Sequence, residues 1–145
     1  MKEMKVNLIE GGAHADQRGL VTYFNTFSAV RADRFYTVRA NELHRVRGWI
    51  GHRTEHKWFT ALAGSVAIAV VEPDDWQSPS RNLEVRQFRL SFDYPSLLHV
   101  PPGHATASMM LTPDALLGVF STGKIEDVAS DNYRFDEDLW RLDNR

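Results

Sequence analysis

Cysteine is absent from the chain, which excludes a disulfide framework, a thiolate zinc site and a cysteine nucleophile. No apolar stretch approaches the length of a membrane span. Neither sign of charge dominates: 17 Lys and Arg stand against 19 Asp and Glu, a formal net charge of −2. Nucleic-acid-binding proteins carry a basic face, so this balance argues against one while leaving room for a local basic pocket. The opening MKEMKVNLIEGG has too short an apolar run between its charges for a signal peptide, and the expected location is cytoplasmic. Also missing are a G-x-S-x-G elbow, a Walker loop and a G-x-G-x-x-G after a strand; Gly11-Gly12 is a turn signal only.

What is present reads as β-structure. The 145 residues, 43% hydrophobic and 25% charged, fit one globular domain spanning 1–145 with a proper core. Runs rich in β-branched and aromatic residues recur between Gly, Pro, Asp and Asn. Val6 to Ile9 reads as a first strand and Asp16 to Gly19 as a turn. Strands are then expected at Leu20 to Phe24, Arg34 to Val38, Arg47 to His52, Lys57 to Leu62 and Ser65 to Val71. A polar loop, Asp74 to Asn82, precedes Glu84 to Leu90, Leu97 to Val100, Ala105 to Leu111 and Ala115 to Ser121. The tail, Asp131 to Trp140, fits a terminal strand or helical turn packed outside. About ten short strands with no helical period predict an all-β barrel or sandwich.

Within this series Arg47 to Gly64, RGWIGHRTEHKWFTALAG, combines residues a core does not accept without a reason. It holds His52 and His56, then places Lys57 at the head of a strand that continues with Trp58, Phe59 and Leu62. A lysine drawn into a small barrel loses hydration and must meet an anion or a buried acceptor. That points to a site for a negatively charged small molecule.

Four stretches, in order, resemble the cupin-fold dTDP-4-dehydrorhamnose 3,5-epimerases. Asp16-Gln17-Arg18-Gly19 resembles their D-x-R-G, and Arg47-Gly48 with a following His, Lys57 and Gly64 resembles their R-G-x-H…K…G. Val71-Glu72-Pro73-Asp74 with Ser78-Pro79 is similar to V-D-x-R-x-x-S-P, and Val100-Pro101-Pro102-Gly103-His104-Ala105 to I-P-x-G-F-A-H. RGWIGH also resembles the R-G-x-H-A-H of the dTDP-sugar 3,4-ketoisomerases. The resemblance covers residues 14 to 121 and departs in three places. Ile50 stands where the ketoisomerases have their first histidine, Thr106 where both families end P-x-G-x-x-H, and Thr122-Gly123-Lys124 where the epimerases have a tyrosine.

The resemblance implies a small jelly-roll-like cupin barrel of two antiparallel sheets. It also implies a cofactor-independent epimerase or isomerase of a nucleotide-activated, dTDP-linked 4-keto-6-deoxy sugar in surface-polysaccharide synthesis. Removing a proton alpha to a carbonyl needs a base near neutral pKa, a task for His52. The enolate needs a cation, a task for Lys57. Arg18 and Arg47 match substrate-contacting positions, and their planar forks suit phosphate. Thr106 lies at a substrate-facing position, Trp49 and Trp58 offer faces to a ring, and His104 is a second candidate acid or base. Plainer readings stand beside these: Arg47 pairing with an acid such as Glu55, and both tryptophans packing in a core.

No metal is expected. His52 and His56 on a strand lie roughly 13 Å apart, and the usual cupin ligand positions read Ile50, His52, Lys57 and Thr106, which offers one ligand where three or four are needed. The expected assembly is a homodimer in which the N-terminal strand pairs with the partner's sheet, covering an exposed edge. The other function class to weigh is a cupin that binds an anionic sugar or nucleotide sugar without turning it over.

Overall fold

The computed structural model of the chain describes residues 5–25 and 32–143. The first four residues, part of the opening segment read above, and the last two lie outside this range, as do 26–31. Among the described residues twelve strands form: β1 Asn7–Glu10, β2 Gly12–Asp16, β3 Gly19–Tyr23, β4 Arg34–Val38, β5 Arg47–His52 and β6 Lys57–Ala63. They continue as β7 Ser65–Val71, β8 Arg86–Ser91, β9 Ser96–Val100, β10 His104–Met110, β11 Leu116–Ser121 and β12 Tyr133–Arg134. A 3₁₀ segment, Ile125–Asp131, joins the last two.

One sheet runs β1-β9-β6-β11-β4, a second runs β12-β5-β10-β7-β8, and β2-β3 form a separate hairpin. The pairing is antiparallel throughout. The all-β, cupin-like architecture expected from the motifs is the one found, with one correction. The sheets do not join into a closed barrel; they face each other as a sandwich.

Alternation along the strands builds the core. Phe59, Leu98, Leu117 and Val119 of the first sheet meet Val66, Ile68, Val70 and Leu90 of the second. Strands β6 and β7 are apolar almost throughout, because both of their faces are covered. A second cluster on the outer face of the second sheet packs Trp49, Val71 and Ala107 under Trp140, with Phe135 and Leu139 beside it. The acidic tail therefore folds over the outside as its aromatic residues suggest.

Three local differences matter. The sequence reads only turns around Gly12–Asp16, yet β2 forms there by pairing with β3; its small alanines carry no β signal. Strand β1 pairs with β9 of its own chain, Asn7 opposite His99, so the structure does not show the expected exchange with a partner. The pairing of β5 with β10 slips by one residue, Thr106 opposite Ile50 and Ala107 opposite Gly48. Such a bulge re-aims side chains. Arg47 and Ile50, three apart and on opposite faces of a regular strand, both border the same cavity. Gly48 makes this possible: its φ is +147°, and a Cβ there would sit 2.7 Å from the Ala107 Cα.

Candidate functional site

Between the sheets lies a cavity of about 180 Å³. Phe59, Ile68, Leu117 and Val119 line its apolar part, and Tyr36, Arg47, Lys57, Thr106 and Ser108 its polar part. It opens into an outer cleft of about 500 Å³, to which Arg39, Arg45, Arg47 and Arg134 contribute against the single acid Glu137. Among the described residues Arg39, Arg47 and Arg134 have no ion-pair partner, and Arg45 has only a loose, exposed contact with Glu42 at 3.8 Å. A cleft so lined attracts an anion, since planar guanidinium forks match phosphate oxygens.

Lys57 sits half-buried at the head of β6. Its Nζ donates to the Tyr36 hydroxyl at 2.8 Å and lies 5.5 Å from that ring's centre. No carboxylate neutralises it among the described residues. Glu55, the acid weighed above as a partner for Arg47, is engaged elsewhere: its Oε1 accepts from Arg34 at 2.9 Å and from the Ser121 hydroxyl.

His52 is buried at the end of β5, on the same strand face as Ile50, but is not among the residues that line the cavity. Its Nδ1 lies 2.8 Å from the Asp131 carbonyl oxygen and 3.1 Å from Glu55 Oε2. Both oxygens accept, so Nδ1 carries the hydrogen and the lone pair resides on Nε2. Nε2 is buried and has no hydrogen-bond partner. Burial and the Lys57 charge hold the His52 pKa below the ordinary histidine value, against the opposing pull of Glu55 and Asp131. The ring is therefore neutral near pH 7, with a free basic nitrogen.

The loop after His52 is fixed by Asp131. Its carboxylate accepts from the amides of Arg53 at 2.7 Å, Thr54 at 3.1 Å and Glu55 at 2.9 Å, and from the Thr54 hydroxyl at 2.8 Å. Burial alone pushes this carboxyl's pKa up, but those hydrogen bonds outweigh it and hold the pKa below the usual range. His52, Glu55 and Asp131 bring ligand atoms within 4.8 Å of one another. The Asp131 oxygens are occupied by N–H and O–H donors and Glu55 by Arg34, so a cation there has to displace a guanidinium. The donor set fits a hydrogen-bond network better than a metal.

The remaining candidates are scattered. Thr106 borders the inner cavity. Arg18 projects from the β2–β3 turn, largely exposed, and pairs with Asp16 at 2.7 Å. His104 donates through Nδ1 to the Pro101 carbonyl oxygen at 2.9 Å. It borders a different cavity of about 240 Å³ beside Glu72, Glu84 and Arg86. Trp49 points outward, 1% exposed, edge-on to Trp140 and donating to its carbonyl at 3.1 Å. Its ring is packing and offers no open face, because the alternation that turns Ile50 inward turns Trp49 out. Trp58 lies with His56 and His99 in a stack whose ring centres are 4.9–5.8 Å apart.

Tyr36, Arg34, Arg39, Arg45 and Arg134 were not picked out as site residues in the sequence, and Glu55 was weighed only as a partner for Arg47. Glu55 had a signal, an acid three residues after a histidine in a turn. Tyr36 had none beyond strand propensity.

No family model matches the sequence, and no curated protein matches it by sequence. The fold, by contrast, matches solved structures. A sugar 3,4-ketoisomerase from Thermoanaerobacterium thermosaccharolyticum in complex with TDP superposes with a TM-score of 0.72 at 22% identity, covering 92% of this chain and 90% of that one. The rmlC epimerase of Mycobacterium tuberculosis gives 0.73 at 16% identity, covering 90% and 68%. The dTDP-4-dehydrorhamnose 3,5-epimerase of Bacillus anthracis with TDP and PPi bound gives 0.70 at 18%, covering 88% and 76%. The chain therefore has the fold of the sugar-nucleotide ketoisomerases and epimerases.

Proposed function

We propose that the protein is an epimerase or isomerase of a nucleotide-activated, dTDP-linked 4-keto-6-deoxy sugar, acting without a cofactor in the cytoplasm. The sugar enters the inner cavity and the diphosphate lies along the arginine cleft, held by Arg47 with Arg39, Arg45 and Arg134. His52 Nε2 removes the proton alpha to the ketone, and Lys57 neutralises the oxyanion that develops. The observation that carries this reading is the pairing of two costly features among the described residues: a buried imidazole nitrogen with no hydrogen-bond partner and a half-buried lysine with no acid beside it. Unpaired groups of this kind persist where a ligand completes them.

The working form we propose is a homodimer. The β2–β3 hairpin leaves Leu20 53%, Val21 60% and Tyr23 39% exposed, and an isolated two-stranded hairpin is marginal in water without a covering partner. A second copy that covers it receives Arg18 at its surface, which reconciles the motif match of Arg18 with its distance from its own cleft.

The test is incubation with dTDP-4-keto-6-deoxyglucose in deuterium oxide, read by NMR. Deuterium at C3 or C5 supports the enzyme. Saturable binding with no label supports a binding cupin, the reading favoured by Ile50 and Thr106 at the two histidine positions.

A further inference from the structure

We propose that Arg34 is a positioning residue for the base: through Glu55 it sets how His52 is held and how tightly it keeps a proton. This rests on His52 as the base in the reading above.

The geometry is a chain of contacts across two sheets. Arg34, the first residue of β4, spends its Nε on the Gly123 carbonyl at 2.6 Å and its Nη2 on Glu55 Oε1 at 2.9 Å. The Ser121 hydroxyl takes the same Oε1. Only Oε2 is left to face His52 Nδ1, at 3.1 Å. Gly123 closes the remaining side, since a Cβ there would sit 2.8 Å from the Glu55 Cδ. Arg34, Ser121 and Gly123 thus pack against the carboxylate and leave Oε2 toward the imidazole. A buried carboxylate shared between a guanidinium and an imidazole divides its field between them. Arg34 thus weakens the pull that Glu55 exerts on the His52 proton, while fixing the carboxylate oxygen that lies beside Nδ1.

Other charged or titratable groups face His52 as well. Lys57 comes from β6, Asp131 from the 3₁₀ segment, and His104 stands opposite on β10. Arg34 and Lys57 both lie 5.5 Å from the centre of the Tyr36 ring, so Tyr36→Phe, which keeps the ring and removes the hydroxyl that Lys57 uses, serves as the control for any effect passed through Lys57.

The two partners act with opposite sign, and a merely structural role does not produce that. Removing the acid in Glu55→Gln makes imidazolium harder to form and moves the His52 titration to lower pH. Removing the competing cation in Arg34→Met gives His52 the whole carboxylate and moves it to higher pH. NMR titration of the ring nitrogens of the full chain reads both without substrate. The expected shifts are opposite, each on the order of one pH unit, a tenfold change in proton affinity. Arg34→Lys keeps the charge and stays near the wild-type value, which guards against misfolding of the methionine variant. Shifts in the same direction, or no shift in Arg34→Lys and Arg34→Met alike, overturn the proposal. If His52 shifts as expected but the acidic limb of the rate profile does not follow, Arg34 still controls His52 and the assignment of His52 as base falls.

Discussion

Lys57 Nζ donates a hydrogen bond of 2.8 Å to the hydroxyl of Tyr36, joining β6 to β4 inside the sandwich, and among the described residues no carboxylate shares the charge. A neutral phenol compensates an ammonium only in part, so the pair costs stability for as long as the cavity is empty.

Lys57→Met should therefore separate function from folding. The methionine fills a similar volume without a charge to desolvate, and Tm should stay level or rise by a few degrees. Turnover of the sugar nucleotide should fall by about 10²–10³-fold, the usual cost of removing an oxyanion-stabilising group. Calorimetry and steady-state rates check the two halves.

The arginines of the outer cleft make a prediction about affinity. Arg39 and Arg134 are exposed and unpaired among the described residues. Replacing either with alanine should weaken dTDP binding about tenfold, or about 1.4 kcal/mol, with Tm unchanged. Titration calorimetry at two salt concentrations reads this, and the loss should be larger at low salt.

Acid should unfold the protein through its histidines. Burial, followed by the neighbouring His56 and His104, pushes His99 down to about 4 from the ordinary histidine value of 6.5. The folded state then binds fewer protons than the unfolded state between those values, and stability rises with pH across that window. His52 adds to the effect with the same sign, since its pKa is also lowered. Urea unfolding from pH 4 to pH 7 should show the slope, and His99→Gln should flatten it.

Much of this architecture was legible along the chain. The strand series and the acidic tail packing outside follow from turn residues, the half-buried Lys57 from the apolar run that begins with it, and Arg47 and Thr106 beside the same cavity from the resemblance of their motifs. Register was not legible. The slip at Gly48 lets the exposed Arg47 border the same cavity as Ile50 while Trp49 packs on the other face, and a single sequence does not mark a bulge. Arg34 and Glu55 lie 21 residues apart and Gly123 is 89 from Arg34, so their meeting depends on a cross-strand geometry that spacing does not encode. Arg18 matched its motif yet lies on a hairpin away from its own cleft, because a local motif fixes the turn and not where the turn is carried.

Gly48 offers a direct probe of that register. Gly48→Ala places a Cβ 2.7 Å from the backbone of Ala107 at a φ of +147°. The strain should cost about 2 kcal/mol or more, measured by urea denaturation. Activity should fall with it, since Arg47 and Ile50 lose their shared orientation.

The most direct measurement compares wild type with His52→Ala in deuterium oxide, with dTDP-4-keto-6-deoxyglucose bound to each at saturation. The wild type should place deuterium at a carbon next to the ketone, and the variant should lose that exchange by about 10³-fold or more while binding dTDP as before. Equal exchange in both proteins would contradict the account, because some other group would then be removing the proton.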